Sequence, residues 1–156
     1  MFLFLYNLIL EALFPSSKAE KSVLSYSPEE AWGKLPRAPE TPLSNTYAVF
    51  AYKNDEVKQL VLGVKYRRLK QAVEIAGFAL DRKIKEEITD TDLKNIALIP
   101  IPITKKRRNE RGFNQSELMA EEIVKLNEGT QININLEKEM DHHLKKDTHK
   151  SKQVFL

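Results

Sequence analysis

Apolar residues recur at helical spacing in three parts of the chain. Val57, Leu60 and Val64 lie at i, i+3 and i+7, the spacing that places side chains on one face of a helix. The same pattern predicts helices over residues 55–65, 69–87 and 115–127. Gly77 falls inside the second helix, where glycine costs about 1 kcal/mol relative to alanine. We therefore expect a close helix contact at that position.

Two segments have the composition of strands. Residues 46–52, TYAVFAY, are rich in β-branched and aromatic side chains. Residues 96–101, IALIPI, form an almost continuous apolar run, which is typical of a strand buried on both faces of a parallel sheet. Because helices alternate with these strands, the pattern predicts an α/β fold in which ligands bind at the carboxyl ends of the strands.

The first 45 residues differ in composition from the rest. Residues 1–15, MFLFLYNLILEALFP, are apolar but too short to span a bilayer, and Asn7 and Glu11 interrupt them. They also lack the basic region and cleavage site of a signal peptide, so we expect an amphipathic helix and a cytoplasmic protein. Residues 16–45 are rich in proline and serine and predict an extended linker. Residues 46–156 are then the main domain.

Composition and charge narrow the possible chemistry. The chain has 156 residues, enough for one domain, and a formal net charge of +3. Anion binding must therefore come from local clustering of charge. The chain has no cysteine, which excludes disulfides and thiolate zinc sites. His142 and His143 are adjacent and cannot easily face one metal ion from a helix, so we expect no metal site.

Residues 100–118, PIPITKKRRNERGFNQSEL, concentrate positive charge in a loop before the third predicted helix. With Asn114 as the helix N-cap, Glu117 falls at N3 and can bond back to the backbone amide of the cap. Gly112 allows a ligand to approach the backbone closely. Because a helix N-terminus favours anions, this loop is a candidate phosphate site. A solvated charged face is the alternative.

The candidate anion-binding residues are Lys105, Lys106, Arg107, Arg108, Arg111, Gly112, Asn114 and Gln115. A second basic turn contains Lys65, Arg67 and Arg68. No residue is assigned a catalytic role.

The stretch around residues 99–118 resembles the ComF family, competence-associated proteins with a type I phosphoribosyltransferase-like domain. The matching pattern is Pro100 and Pro102 at the end of an apolar strand, a basic run, and then R-G-F-N-Q at residues 111–115. Upstream, AYKNDEVKQLVLGVKYRRLK at residues 51–70 is similar to the strand, helix and basic turn of the family. The resemblance covers most of the chain and is strongest from residue 46 to residue 126.

This resemblance implies a partial type I phosphoribosyltransferase-like fold, with a parallel sheet flanked by helices, preceded by an N-terminal helix and a Pro-rich linker. It implies a role in DNA uptake or nucleotide metabolism, with Mg²⁺ and phosphoribosyl pyrophosphate as the ligands. In the family reaction a nucleophile attacks the anomeric carbon of the sugar as pyrophosphate leaves. The basic loop would stabilise the charge that develops on the pyrophosphate.

The chain departs from the family pattern in two ways. Family members commonly carry a cysteine zinc ribbon after the first helix, and residues 16–45 hold no cysteine, so we expect no zinc and interpret this segment as what is left of the ribbon. Family members also carry a pair of acidic residues followed by a Thr/Gly-rich turn that holds phosphoribosyl pyrophosphate, and this chain does not. It therefore resembles a family member truncated before that motif, inactive alone, with an uncovered sheet edge through which it could associate.

Two other functions stay open at this point. The two basic segments could contact the phosphates of single-stranded DNA, with Tyr66 stacking on a base, in an accessory protein of DNA uptake that works beside a helicase. The chain could also be a fragment without function.

Overall fold

A computed structural model of the chain describes residues 16–88, 95–128 and 130, together with the backbone of residues 133–136 and 152–155. The helices are α1 (Lys18–Ser25), α2 (Pro28–Lys34), α3 (Asp55–Leu62), α4 (Lys70–Glu87), α5 (Lys105–Arg111) and α6 (Gln115–Asn127). A π-helical turn, Gly63–Arg67, continues α3. The strands are β1 (Asn95–Ile99), β2 (Asn133–Leu136) and β3 (Lys152–Phe155). The N-terminal helix expected at residues 1–15 and the three histidines lie outside the described residues.

Two short helices occupy part of the segment expected to be an extended linker. The Ser17 hydroxyl accepts a hydrogen bond from the Glu20 amide at 3.1 Å and caps α1. Ser27 and Glu30 form a reciprocal capping box at the start of α2. Pro28 is the first residue of α2, a position whose N–H has no partner inside a helix, so the proline is tolerated there. The linker prediction is therefore wrong for residues 18–34.

Residues 46–52, expected to be a strand, do not form one. Phe50 makes a single antiparallel bridge with Arg37, and hydrogen bonds between Ala38 and Val49 and between Ala51 and Pro36 hold the two segments together. The Arg37 guanidinium lies 3.1 Å from the centre of the Trp32 ring and 5.6 Å from that of Phe50. These contacts hold residues 46–52 against α2.

The expected α/β architecture is wrong for the described part of the chain, which is predominantly helical. In the continuous ranges 16–88 and 95–128, β1 is the one regular strand, and it has five residues. The four-residue segments β2 and β3 pair with it in parallel, in the order β2-β1-β3. Helices packed on one another, rather than a sheet with a helical layer on each face, form the body of the molecule.

The three predicted helices are confirmed as α3 with its π-helical turn, α4 and α6. One core cluster joins α1, α2, α3 and α4, with Val23, Ala31, Val57 and Ile75 among its buried residues. A second cluster joins α4, β1 and α6 through residues such as Ile84, Ile96, Leu98, Ala120 and Ile123. The helix pair α4 and α6 thus links the two parts of the core.

Gly77 lies at the closest approach of α4 and α6. A Cβ atom built on Gly77 would lie 2.7 Å from both Cβ and Cγ of Glu122. The close contact predicted at this glycine is therefore confirmed. Further along the same interface, the buried Asp81 accepts hydrogen bonds from Lys85 and Asn127, each at 2.7 Å. These contacts hold α6 against α4 and so fix the position of its N-terminus, where the candidate site described below lies.

Within the described ranges, no helix is both long and apolar enough to cross a lipid bilayer.

Candidate phosphate-binding site

The basic run at residues 105–111 is a short helix, α5, rather than the expected loop. The Thr104 hydroxyl accepts a hydrogen bond from the Arg107 amide at 3.3 Å and caps its N-terminus. Gly112 ends it with φ of +77°, in the left-handed region, and its amide donates to the Arg108 carbonyl at 2.8 Å. Glycine adopts this conformation without strain, so Gly112 ends the helix, a role that differs from the close approach to a ligand predicted from the sequence. The helix spreads the basic side chains around its axis instead of directing them to one point.

Asn114 caps α6, as predicted from the sequence. Its side-chain oxygen accepts from the Ser116 amide at 3.1 Å, and its side-chain NH₂ donates to the Ile101 carbonyl at 3.1 Å. The same NH₂ group lies 3.3 Å from Glu117 Oε1. The sequence predicted that Glu117 would accept from the backbone amide of the cap, but the carboxylate accepts from the Asn114 side chain. Asn114 is only 2% exposed, so it ties the end of the basic segment to the chain after β1.

The structure places the second basic turn, residues 65–68, directly beside α5. The Arg111 guanidinium lies 4.8 Å from the centre of the Tyr66 ring, and the Arg68 guanidinium lies 5.7 Å from that of Phe113. Both distances are within the range of a cation–π contact. Arg111 also donates to the Gln115 side-chain oxygen at 3.2 Å. Two segments far apart in the sequence therefore form one surface, here called the joined basic surface (residues 65–68 and 105–115).

Some of the cations on this surface are already paired. Arg67 forms an ion pair with the buried carboxylate of Glu20 in α1. Arg108 Nη2 lies 3.6 Å from Glu117 Oε2. The Arg108 side chain is more than half exposed, so its pair with Glu117 is screened by solvent and contributes little to stability.

Four lysine and arginine side chains on the joined basic surface form neither an ion pair nor a cation–π contact with any residue in the described ranges: Lys65, Lys105, Lys106 and Arg107. The last three belong to exposed residues of α5. Like charges close together repel one another, and an anion bound between them would relieve that repulsion. This set of residues is therefore suited to binding phosphate groups.

An apolar cleft of about 250 Å³ adjoins the joined basic surface. It lies between α3, α4 and α6, with Val57, Leu60 and Met119 among its lining residues. Lys65 and Gln115 line the cleft and also belong to the joined basic surface. A ligand bound to these cations could therefore place an uncharged part against apolar side chains.

The residues present do not form a metal cage. Among the residues that the structure describes, no group of three His, Cys, Asp or Glu side chains could hold a metal ion. Glu117 is the carboxylate in contact with the surface, and Arg108 and Asn114 engage it. Mg²⁺ is commonly bound through phosphate oxygens and water with few protein ligands. The magnesium implied by the family resemblance would therefore have to arrive on the ligand.

Three contacts of the site were missed by sequence reasoning. The pairing of Arg67 with Glu20 joins distant segments, and no local pattern indicates it. The contact of Arg111 with Tyr66 likewise depends on the tertiary fold. The pairing of Arg108 with Glu117 could have been found, because the helical propensity of the basic run and the N3 position of Glu117 place both near the α5–α6 joint.

The geometry defines an exposed basic surface next to an apolar cleft, and comparison with known proteins gives the chain a relative. The competence protein ComFC of Bacillus subtilis (strain 168) is 30% identical to this chain over 97 residues, which is 62% of this chain and 39% of the relative. The chain thus spans well under two thirds of that relative's length. The similarity supports a ComF-family relationship and a link to competence. No protein-family model and no solved structure matches the chain.

Proposed function

We propose that this chain is a competence-associated protein of the ComF family that binds the phosphate groups of phosphoribosyl pyrophosphate or pyrophosphate on its joined basic surface. The observation that supports this most directly is the pair of cross-contacts, Arg111 on Tyr66 and Arg68 on Phe113. They hold both candidate segments side by side, so that one ligand can contact both.

The unpaired cations of α5 are the groups that would bind the phosphates. Arg107 can donate two parallel hydrogen bonds to phosphate oxygens, whereas Lys105 and Lys106 act as point charges. All three belong to exposed residues, so water and salt screen their attraction for an anion. We therefore expect weak binding that weakens further as the salt concentration rises.

Binding, rather than turnover, is the activity proposed for this chain. In a phosphoribosyl transfer the joined basic surface would stabilise the negative charge that develops on the departing pyrophosphate. The sequence holds no acidic pair followed by a Thr/Gly-rich turn, the feature expected to grip the sugar and its 5-phosphate. No residue of the chain is assigned a catalytic role.

Calorimetric titration with magnesium pyrophosphate tests the proposal. The variant Lys106→Met/Arg107→Met removes two unpaired cations from α5. The matched control, Lys18→Met/Lys21→Met, removes the same charge from exposed positions on α1. We expect at least roughly fivefold weaker binding for the α5 variant and less than about twofold for the control, because screened charges act over about 10 Å. Equal losses in the two variants, or no binding by the unmodified chain, would contradict the proposal.

Single-stranded DNA is the second candidate ligand, and one observation favours it. Tyr66 is 61% exposed although Arg111 lies against its ring, so part of the ring remains available to stack on a base. Stacking on an aromatic side chain contributes about 1–3 kcal/mol per base. If Tyr66→Leu weakens binding of a labelled oligothymidylate in fluorescence anisotropy, and the chain binds no pyrophosphate, this second function replaces the first.

A further inference from the structure

A negatively charged side chain of α6 contacts the joined basic surface. The Glu117 carboxylate is 3.6 Å from the Arg108 guanidinium and accepts a hydrogen bond from the Asn114 side chain at 3.3 Å. It stands in the first turn of α6, where free backbone amides and the helix dipole favour a negative group. Each of these neighbours would favour a phosphate oxygen for the same physical reason.

We propose that Glu117 is a built-in competitor of the phosphate ligand: while the carboxylate pairs with Arg108, this arginine does not join the unpaired cations in binding the phosphate. This inference rests on the proposed phosphate-binding function and adds a means by which the chain limits its own affinity. The carboxylate acts in two ways. It forms an ion pair with Arg108, and its charge repels any anion held by the neighbouring cations.

The arrangement of the side chains makes displacement of the carboxylate feasible. The Glu117 side chain is 28% exposed and that of Arg108 is 61% exposed. Measured exposed ion pairs correspond to an equilibrium factor of at most roughly fivefold. A phosphate group can therefore take over Arg108 without unfolding α6, and removal of the carboxylate charge should strengthen binding by a factor of similar size.

Replacement of Glu117 by glutamine separates its charge from its structural role. Glutamine at N3 keeps an oxygen that can accept from Asn114, so the start of α6 is retained, while the charge that competes with phosphate is lost. The matched control is Glu121→Gln, which removes one negative charge from an exposed residue of α6 that forms no ion pair in the described part of the chain and lies outside the joined basic surface. A thermal melt of each variant checks that the fold is kept.

Calorimetric titration with inorganic pyrophosphate, without metal and at low salt, gives the readout. We expect Glu117→Gln to bind roughly three- to fivefold more tightly than the unmodified chain and Glu121→Gln less than about twofold more tightly. In an Arg108→Met background, Glu117→Gln should strengthen binding by less than about twofold, because the arginine that pairs with Glu117 is absent. If the two single variants gain equally, charge alone explains the effect and the inference fails while phosphate binding stands. If no variant binds pyrophosphate, both fail.

Discussion

The contact at Gly77 gives a quantitative test of how α6, and therefore the site at its N-terminus, is held. In Gly77→Ala the added methyl carbon would lie 2.7 Å from Cβ and Cγ of Glu122 and 3.5 Å from the Met119 carbonyl oxygen. The first two distances are far below van der Waals contact. Because Cβ of Glu122 is fixed to its backbone, the overlap can be relieved only if α4 and α6 move apart.

Two opposing effects set the size of the change in stability. Overpacking of a close interface costs typically about 1–3 kcal/mol. Alanine in place of glycine inside a helix gains up to about 1 kcal/mol. We therefore expect Gly77→Ala to lower the free energy of unfolding by about 0–3 kcal/mol. Gly33→Ala in α2 is the control, because a Cβ atom there meets nothing within 4 Å. It should raise the free energy of unfolding by up to about 1 kcal/mol.

The difference between the two variants isolates the packing effect, since the helix-propensity gain is common to both. Urea denaturation followed by circular dichroism should place Gly77→Ala about 1–3 kcal/mol below Gly33→Ala in stability. If the two variants are equally stable, α4 and α6 do not meet at Gly77 as described.

Two further predictions concern the helix caps. Asn114→Ala should lower the free energy of unfolding by about 1–2 kcal/mol in thermal melts, since it removes an N-cap and a buried hydrogen bond, whereas Arg108→Ala should change it by less than about 0.5 kcal/mol. The pKa of Glu30 lies below its ordinary value of 4.5, mainly because its carboxylate accepts from the Ser27 amide, and a hydrogen bond from lysine lowers the pKa of Asp55. A lowered folded-state pKa stabilises the fold above the unfolded-state value, and that stabilisation is lost as the pH falls through the folded-state value. The melting temperature should therefore drop below about pH 4.5, and the drop should be smaller in Glu30→Gln; an unchanged profile in that variant would contradict this.

The helices of this chain were predictable because local patterns specify them. Val57, Leu60 and Val64 lie on one face of α3 and its π-helical turn and are buried in the core, as their spacing indicates. Asn114 caps α6 as its position before an apolar stripe predicts. Gly77 is small where another helix passes close by. In each case the signal lies within a few neighbouring residues of the sequence.

The prediction of a strand at residues 46–52 was wrong because strand propensity mainly measures how well side chains pack against neighbouring strands. No regular strand pairs with that segment, and one bridge at Phe50 holds it instead. The helices of residues 18–34 were not predicted because proline disfavours the interior of a helix but is compatible with its first turn. Ser27 before Pro28 is a helix start, since proline fits the first turn.

The features of the candidate site also differ in whether the sequence could predict them. Thr104 and Gly112 are an ordinary helix cap and helix stop, so the helix α5 could have been recognised in the basic run. The contact of Arg111 with Tyr66 could not, because it depends on the path of the chain through α4 and β1. A single sequence contains no local signal for such a pairing.

An NMR titration with magnesium pyrophosphate measures whether residues 65–68 and 105–115 bind phosphate as one surface. We expect backbone amides in both segments to shift together and fit one dissociation constant, and Lys106→Met/Arg107→Met to weaken the shifts in both. Shifts confined to one segment, two different dissociation constants, or no shift in either segment would contradict this expectation.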